Sequence, residues 1–218
     1  MRLRILVYSR TTDYRHDSIP AGVAALRTLG RTHRFDVEAT EDPAVFDELD
    51  RFTAVALLST SGSIGGPAAR AALESFVRAG GGFAGIHGAA TTEYEWPFFG
   101  TLIGAWFDRH PHVQPARIIV EDRAHASTAH LPEVWTRTDE WYDFRTNPRP
   151  SVRVLLRADE SSYEGGTMGP DHPLAWCHEH LGGRSFYTAL GHTTESYEEP
   201  AVLQHLLGGL RWAARMGP

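Results

Sequence analysis

The chain has a single cysteine, Cys177, in 218 residues. One thiol cannot build an intrachain disulfide framework, and without a C-x-x-C pair the common structural zinc sites are excluded as well. A reducing compartment fits that usage. No apolar run approaches the roughly 20 residues that span a bilayer. The opening MRLRILVYSR enters a strand at once, with neither the apolar core nor the small-residue cleavage site of a signal peptide. The expectation is a soluble, cytoplasmic protein with no membrane partner. Positive charge is also short, with 21 Lys and Arg against 27 Asp and Glu and a formal net charge of -6. A phosphate backbone would have to bind against the overall field, so nucleic acid is excluded as a partner. Internal repeats, low-complexity tracts and linkers are lacking too, so residues 1–218 are read as one domain.

What the chain does have is a hydrophobic fraction of 42%, enough for one substantial core, and an excess of twelve histidines, six tryptophans and seven tyrosines. Imidazole with aromatic surface is a common lining for pockets that take polar small molecules. The first half alternates strand-like and helix-like stretches. Strands are read at Arg4 to Tyr8, Phe35 to Ala39, Ala54 to Ser59 and Gly82 to Ile86. Helices are expected to start near Ser18 or Pro20, with a C-cap at Gly30, at Asp42-Pro43, and at about Pro67. That order predicts right-handed β-α-β units around a parallel sheet, with binding groups at the carboxyl ends of the strands. From Tyr94 the aromatic, glycine-broken EYEWPFFGTLIGAWF reads as a short helix over a pocket rim. Beyond it, strand-like segments at Gln114 to Glu121, Glu133 to Phe144, Val152 to Ala158, Leu174 to His180 and Arg184 to Leu190 predict mixed or antiparallel β. A core-facing helix from about Pro200 to Arg215 closes the chain.

The stretch GGGFAGIHGAA, Gly80 to Ala90, reads as a buried strand that ends in a sharp turn of small residues with His87 at its apex. A reactive side chain at such a turn is the nucleophile-elbow arrangement. Imidazole can serve there as general acid, general base, metal ligand or hydrogen-bond donor, but it is a poor lasting nucleophile for hydrolysis. A tightly packed strand end with a satisfied histidine accounts for the local sequence equally well.

Further candidates lie downstream. The segment Leu181-Gly182-Gly183 is read as a hairpin turn, and pairing symmetric about Gly182 sets His172 opposite His192. His178 and His180 then fall by the turn, about 20 Å away at 3.3 Å per residue. Those two, with His110 and His112, are read as solvated or core histidines, and spacing along the chain assembles no metal site. Thr138 to Tyr142 joins acids to aromatic platforms, so that a carboxylate is available as base and rings such as Trp141 are available for the apolar faces of a sugar. A strand edge with solvated acids is the simpler reading. Trp176 and Trp96 are read as pocket lining or core, and His16 as a loop residue at the first strand's carboxyl end.

Taken together, Tyr14-Arg15-His16, GGGFAGIHGAA, Asp139-Glu140-Trp141-Tyr142, His172-Pro173-Leu174-Ala175-Trp176 and Gly183-Arg184 through Gly191-His192 resemble the ThuA-like trehalose-utilisation family in order along the chain. The resemblance implies an α/β, flavodoxin-like fold similar to the class I glutamine amidotransferases, a three-layer sandwich with a mainly parallel sheet and added antiparallel strands in the C-terminal half. It also implies a polar pocket formed by His16, His87, Glu140, His172 and His192, and a role in bacterial sugar catabolism. His87 stands where the amidotransferases carry a nucleophilic cysteine, and Cys177 is no substitute, so thioester chemistry is disfavoured. The function expected is acid–base chemistry on a trehalose-type disaccharide or its keto-sugar derivative. His87, Glu140, His172 and His192 are its catalytic candidates, and His16, Trp141 and Trp176 are its substrate-binding ones. A non-catalytic sugar-binding or regulatory domain is the alternative. The partner expected is a small carbohydrate; cofactor and homo-oligomerisation are left open by the sequence.

Overall fold

A computed structural model describes residues 3–217. Nine strands form one sheet: β1 (Arg4–Tyr8), β2 (Asp36–Thr40), β3 (Ala54–Leu58), β4 (Gly82–Ile86), β5 (Gln114–Val120), β6 (Val134–Asp139), β7 (Arg153–Asp159), β8 (His172–His178) and β9 (Ser185–Thr188). The spatial order is β2-β1-β3-β4-β9-β8-β7-β5-β6. From β2 to β9 all neighbours are parallel; from β9 to β6 every pair is antiparallel. The helices are α1 (Ile19–His33), α2 (Pro67–Arg78), α3 (Pro97–Ile103) and α4 (Pro200–Ala213). None of them is long and apolar enough to cross a membrane.

Strands β1, β3 and β4 are buried almost without interruption. This is why their sequences show apolar runs and not alternation: in the parallel half both faces of the sheet are covered by helices. Strands β5 and β6 instead alternate buried and exposed positions along their length, the mark of a sheet with one wet face.

The antiparallel half does not continue flat. Four strand spacings separate β9 from β6, roughly 19 Å in a flat sheet. Yet the carboxylate of Asp139, the last residue of β6, accepts the backbone N–H of Gly191, three residues beyond β9, at 3.0 Å. The sheet therefore rolls over, and its far edge comes back to the carboxyl ends of the central strands. All parallel strands and both β6 and β7 end at this same edge, and β8 begins there.

The structure departs from several sequence expectations. Helix α1 runs past Gly30 to His33, and Arg34 takes the left-handed cap conformation with φ 63°. The segment at Asp42-Pro43 forms a kinked 3-10 stretch, Pro43–Arg51. The single strand expected over Glu133 to Phe144 stops at Asp139, because that carboxylate takes the next backbone N–H, of Glu140, at 3.0 Å and turns the chain. Residues Asp143 and Phe144 then pair with Arg109 and Phe107. The β8–β9 hairpin sets Trp176 opposite Tyr187 and Cys177 opposite Phe186, one residue off symmetry about Gly182. Pairing ends at Ala175 and Thr188, so His172 and His192 do not face each other.

Helix α4 carries His205 fully into the core, where its Nδ1 lies 2.9 Å from the Ser127 carbonyl and its Nε2 lies 3.0 Å from the Thr188 hydroxyl. Burial pushes this imidazole down to about 3, and burial pushes His178 and His125 down to about 4. The unfolded chain takes up these protons near the ordinary value of 6.5, whereas the folded chain does not, so stability falls as pH falls through that window. We expect urea stability to drop on the order of 1 kcal/mol per pH unit for each such histidine between about pH 6.5 and pH 5, and His205→Gln to flatten the slope. A stability unchanged over that range would refute the assignment.

Candidate functional site

His87 follows β4 directly and is fully buried, with φ 48°. A non-glycine residue in the left-handed region is uncommon and costs energy, so the surroundings must hold it there. They do so at both ends of the residue: the Tyr187 hydroxyl donates to the His87 carbonyl at 3.0 Å, and His87 Nδ1–H donates to the Ala189 carbonyl at 2.7 Å. The glycines on either side of Ile86 and His87 make room for neighbours. A Cβ on Gly88 would stand 3.0 Å from the His16 ring and 3.1 Å from the Ser59 Cα, and one on Gly85 would stand 2.4 Å from Ile103. With Nδ1 committed as a donor, the Nε2 of neutral His87 is a lone pair pointing to the sheet edge.

Three side chains from other loops meet it there. His16, from the loop after β1, places Nε2 at 3.1 Å. His192, from the loop after β9, places Nδ1 at 3.2 Å. Glu140, just beyond β6, places Oε2 at 3.4 Å from His87 Nε2 and 3.2 Å from His192 Nδ1. The other Glu140 oxygen lies 3.1 Å from His110 Nδ1. Burial and then the neighbouring histidines push His16 down to about 3, so that it is neutral at working pH. Burial pushes the Glu140 carboxyl up, but hydrogen bonds and charge from His192 and His87 outweigh it and the net shift is downward. His192 moves up because it is hydrogen-bonded to Glu140, against the effect of burial.

Above this cluster opens a cavity of about 470 Å³, lined by His16, His110, Glu140 and His192 together with Asp13, Tyr14, Thr91, Tyr94, Phe107 and Tyr142. Tyr142 lies over the His87 ring with centroids 4.4 Å apart, and Phe107 backs Tyr142 at 4.4 Å. Both the Tyr142 and the Tyr94 hydroxyls are pushed up by burial.

Folding thus unites four of the sequence candidates, His16, His87, Glu140 and His192. It places the other three elsewhere. His172 is fully buried in a second cluster, with Nδ1 2.7 Å from Glu160 Oε1 and 3.0 Å from the Tyr163 hydroxyl; its Nε2–H donates to the Tyr142 carbonyl at 2.8 Å. It therefore reaches the cavity only through the main chain of Tyr142. Trp141 and Trp176 are core residues, because a buried indole N–H requires an acceptor and each finds one inside, Gln114 O at 2.9 Å and Ile103 O at 2.8 Å. His178 lies near the other end of the sheet, stacked on His180.

The aromatic wall is where sequence reasoning fell short. Glu140 and Tyr142 face the cavity while Trp141 between them faces the core, an alternation readable in principle from the extended segment. Tyr94 and Phe107 bracket α3, so the rim segment was found but not its lining residues. His110, read as solvated, has a ring that is part of the cavity wall.

The nine-stranded mixed sheet with flanking helices and a turn-borne side chain at its carboxyl edge is the glutamine amidotransferase-like α/β fold. A putative GMP synthase component from Thermoplasma acidophilum superposes with a TM-score of 0.55 at 12% identity, covering 99% of this chain and 98% of that one. Much nearer are a putative ThuA-like protein from Bacteroides uniformis, with TM-score 0.82, 23% identity and 97% and 91% of the two chains covered, and one from Parabacteroides merdae, with TM-score 0.82, 21% identity and 98% and 90% covered. The family model for ThuA, trehalose utilisation, matches residues 4–213. The chain belongs to the ThuA family and is a carbohydrate-utilisation protein. A comparison with curated proteins found no match.

Asp139 fixes this site from behind. Fully buried, it pairs with the buried Arg137 guanidinium and accepts the N–H groups of Gly191 and His192 at 3.0 and 3.1 Å. Arg137 in turn reaches Ser196 at 2.8 Å and Glu199 at 3.0 Å. Asp139→Ala leaves a buried cation short of a partner and two loop N–H groups without an acceptor, so we expect a loss of about 3–5 kcal/mol in urea denaturation. A loss below about 1 kcal/mol, the range of an exposed pair, would contradict this role.

Proposed function

We propose that this protein is an enzyme of bacterial sugar catabolism, working in the cytoplasm, that acts on a trehalose-type disaccharide or its keto-sugar derivative by histidine and carboxylate chemistry. The observation that carries the proposal is the convergence of His16, Glu140 and His192, which line one aromatic-walled cavity, on the buried His87 beneath it. Its volume lies within the range of small-molecule sites. Tyr14, Tyr94, Phe107 and Tyr142 offer flat apolar faces for the C–H surfaces of a sugar ring, and Asp13 and Thr91 offer partners for its hydroxyls.

A keto sugar gives this donor set work to do. A carbonyl acidifies the neighbouring C–H, and the His87 Nε2 lone pair, fixed by the bond from Nδ1–H to Ala189, is the base that takes up that proton by way of His16, which lines the cavity 3.1 Å away. The C–H electron pair moves to the carbonyl oxygen, which takes a proton from His192. Glu140 keeps that proton on His192, in keeping with the opposed shifts of the two groups. Return of a proton to the former carbonyl carbon, with the hydroxyl on the deprotonated carbon giving up its own to become the new carbonyl, completes an isomerisation; expulsion of a glycosidic oxygen β to the carbonyl, protonated as it leaves while the enol O–H returns its proton to His192, completes an elimination instead. His172 is a positioning residue in this scheme, acting on Tyr142 through its carbonyl.

The test is turnover of trehalose and of keto-trehalose by the wild type, His87→Ala and Glu140→Gln. We expect each variant to lose about 10²–10⁴ in kcat on the keto sugar while remaining folded by circular dichroism. Unchanged rates would sink the assignment of these residues. Calorimetric binding of the sugars by wild type without any conversion would replace the enzyme with a sugar-binding domain.

A further inference from the structure

We propose that His16, His87, His192 and Glu140 together bind one divalent transition-metal ion of the zinc type, with a fifth coordination position open to the cavity. The argument begins from distances. His16 Nε2, His87 Nε2, His192 Nδ1 and a Glu140 oxygen all lie within 4.8 Å of one another. Four of the six separations are 3.1, 3.2, 3.4 and 3.2 Å, and the other two lie within 4.8 Å. Ligands held about 2.0–2.1 Å from a common ion at near-tetrahedral angles are themselves separated by roughly 3.3 Å. These four pairs already have the spacing of a coordination shell.

Hydrogen bonding satisfies the same atoms poorly. His87 Nδ1–H is spent on the Ala189 carbonyl, so neutral His87 presents only a lone pair at Nε2 to His16, His192 and Glu140 at once. Even a protonated Nε2 offers one hydrogen to three neighbours. A cation at the shared focus engages all four donors. Three imidazole nitrogens and one carboxylate oxygen are a donor set suited to zinc and its first-row neighbours, and not to magnesium or calcium.

One ligand has the partner behind it that metal sites characteristically show. A metal-bound histidine donates its other ring N–H to a carbonyl or carboxylate, and His87 does so at Ala189, whereas the buried His16 Nδ1 has no hydrogen-bond partner. His110 Nδ1 lies 3.1 Å from the other Glu140 oxygen and 2.8 Å from the Pro111 carbonyl, so its N–H is shared between the two. His192 is held by its backbone N–H on Asp139, which fixes the loop and not the ring nitrogen. His16, Glu140 and His192 also line the cavity, so the open position faces the space a substrate would fill.

This deepens the reading of the pocket as a sugar site and rests on it for what the ion does there. The bound ion would polarise a sugar carbonyl or hydroxyl oxygen in place of the protonated His192, and because it would engage the His87 Nε2 lone pair, the base role given to His87 in its absence would pass to Glu140 Oε1 and His110 on the cavity side. Binding of the ion stands independently of that chemistry.

The experiment is to strip the full chain with a chelator and titrate it with Zn²⁺ by calorimetry and with Co²⁺ by visible absorption. We expect one ion per chain with a Kd below about 1 μM and the intense d–d bands of four- or five-coordinate Co²⁺. His16→Ala should weaken binding at least about 100-fold, and His110→Ala, a half-exposed position safe for folding, should weaken it about 10-fold through Glu140. No stoichiometric uptake, or wild-type affinity in His16→Ala, overturns the ion site. Keto-sugar turnover by chelated protein that takes up no ion overturns the ion site and leaves the acid–base reading standing. Stoichiometric ion with no sugar turnover supports the site and overturns the enzyme reading.

Discussion

The buried Asp139 carboxylate is the constraint on which the arrangement depends. A strong acceptor at the end of β6 ties the rolled edge of the sheet directly to the loop after β9, four strands away, and Arg137 beside it reaches Ser196 and Glu199. A buried carboxylate is costly unless it is fully compensated. Here Arg137 and three backbone N–H groups, those of Glu140, Gly191 and His192, supply that compensation. Because the same carboxylate turns the chain at Glu140 and anchors His192, two site residues far apart in sequence inherit one reference point.

The second constraint is the left-handed turn at His87. Small residues let the strand end sharply, and the bonds to Tyr187 and Ala189 keep the histidine in a backbone conformation it would otherwise leave. In the amidotransferase-like fold this turn presents a side chain at the carboxyl edge of a parallel sheet, where loops from several strands converge.

The parallel half of the fold was legible in the sequence because unbroken apolar runs such as Ala54 to Leu58 and Gly82 to Ile86 permit few other readings. The antiparallel half was legible as strands but not in register. The hairpin register is off by one because the innermost pair, His178 with Ser185, closes a connection of six residues, 179–184, and an even-numbered connection has no single residue at its centre; pairing then stops at Thr188, where the chain leaves for Asp139, a tertiary demand invisible in the local pattern. The same demand decided the site. His16, His87, Glu140 and His192 were each identifiable from family-like motifs, whereas His172 shared the same local signature and folded into a different cluster with Glu160 and Tyr163. Trp141 and Trp176 looked like sugar platforms by residue type alone; the acceptors that draw their indole N–H groups inward come from distant segments.

The four residues of the cluster come from four separate loops, with His87 bonded to partners 71 and 105 positions away along the chain. No fragment that ends before His192 carries the complete set. During synthesis the site comes into being only when the His192 loop, which precedes the last helix, has emerged and docked. A ligand that occupies it selects fully assembled molecules over every incomplete one and stabilises them by mass action. Occupancy of the pocket thus reports on assembly of the whole chain and not of any one part of it.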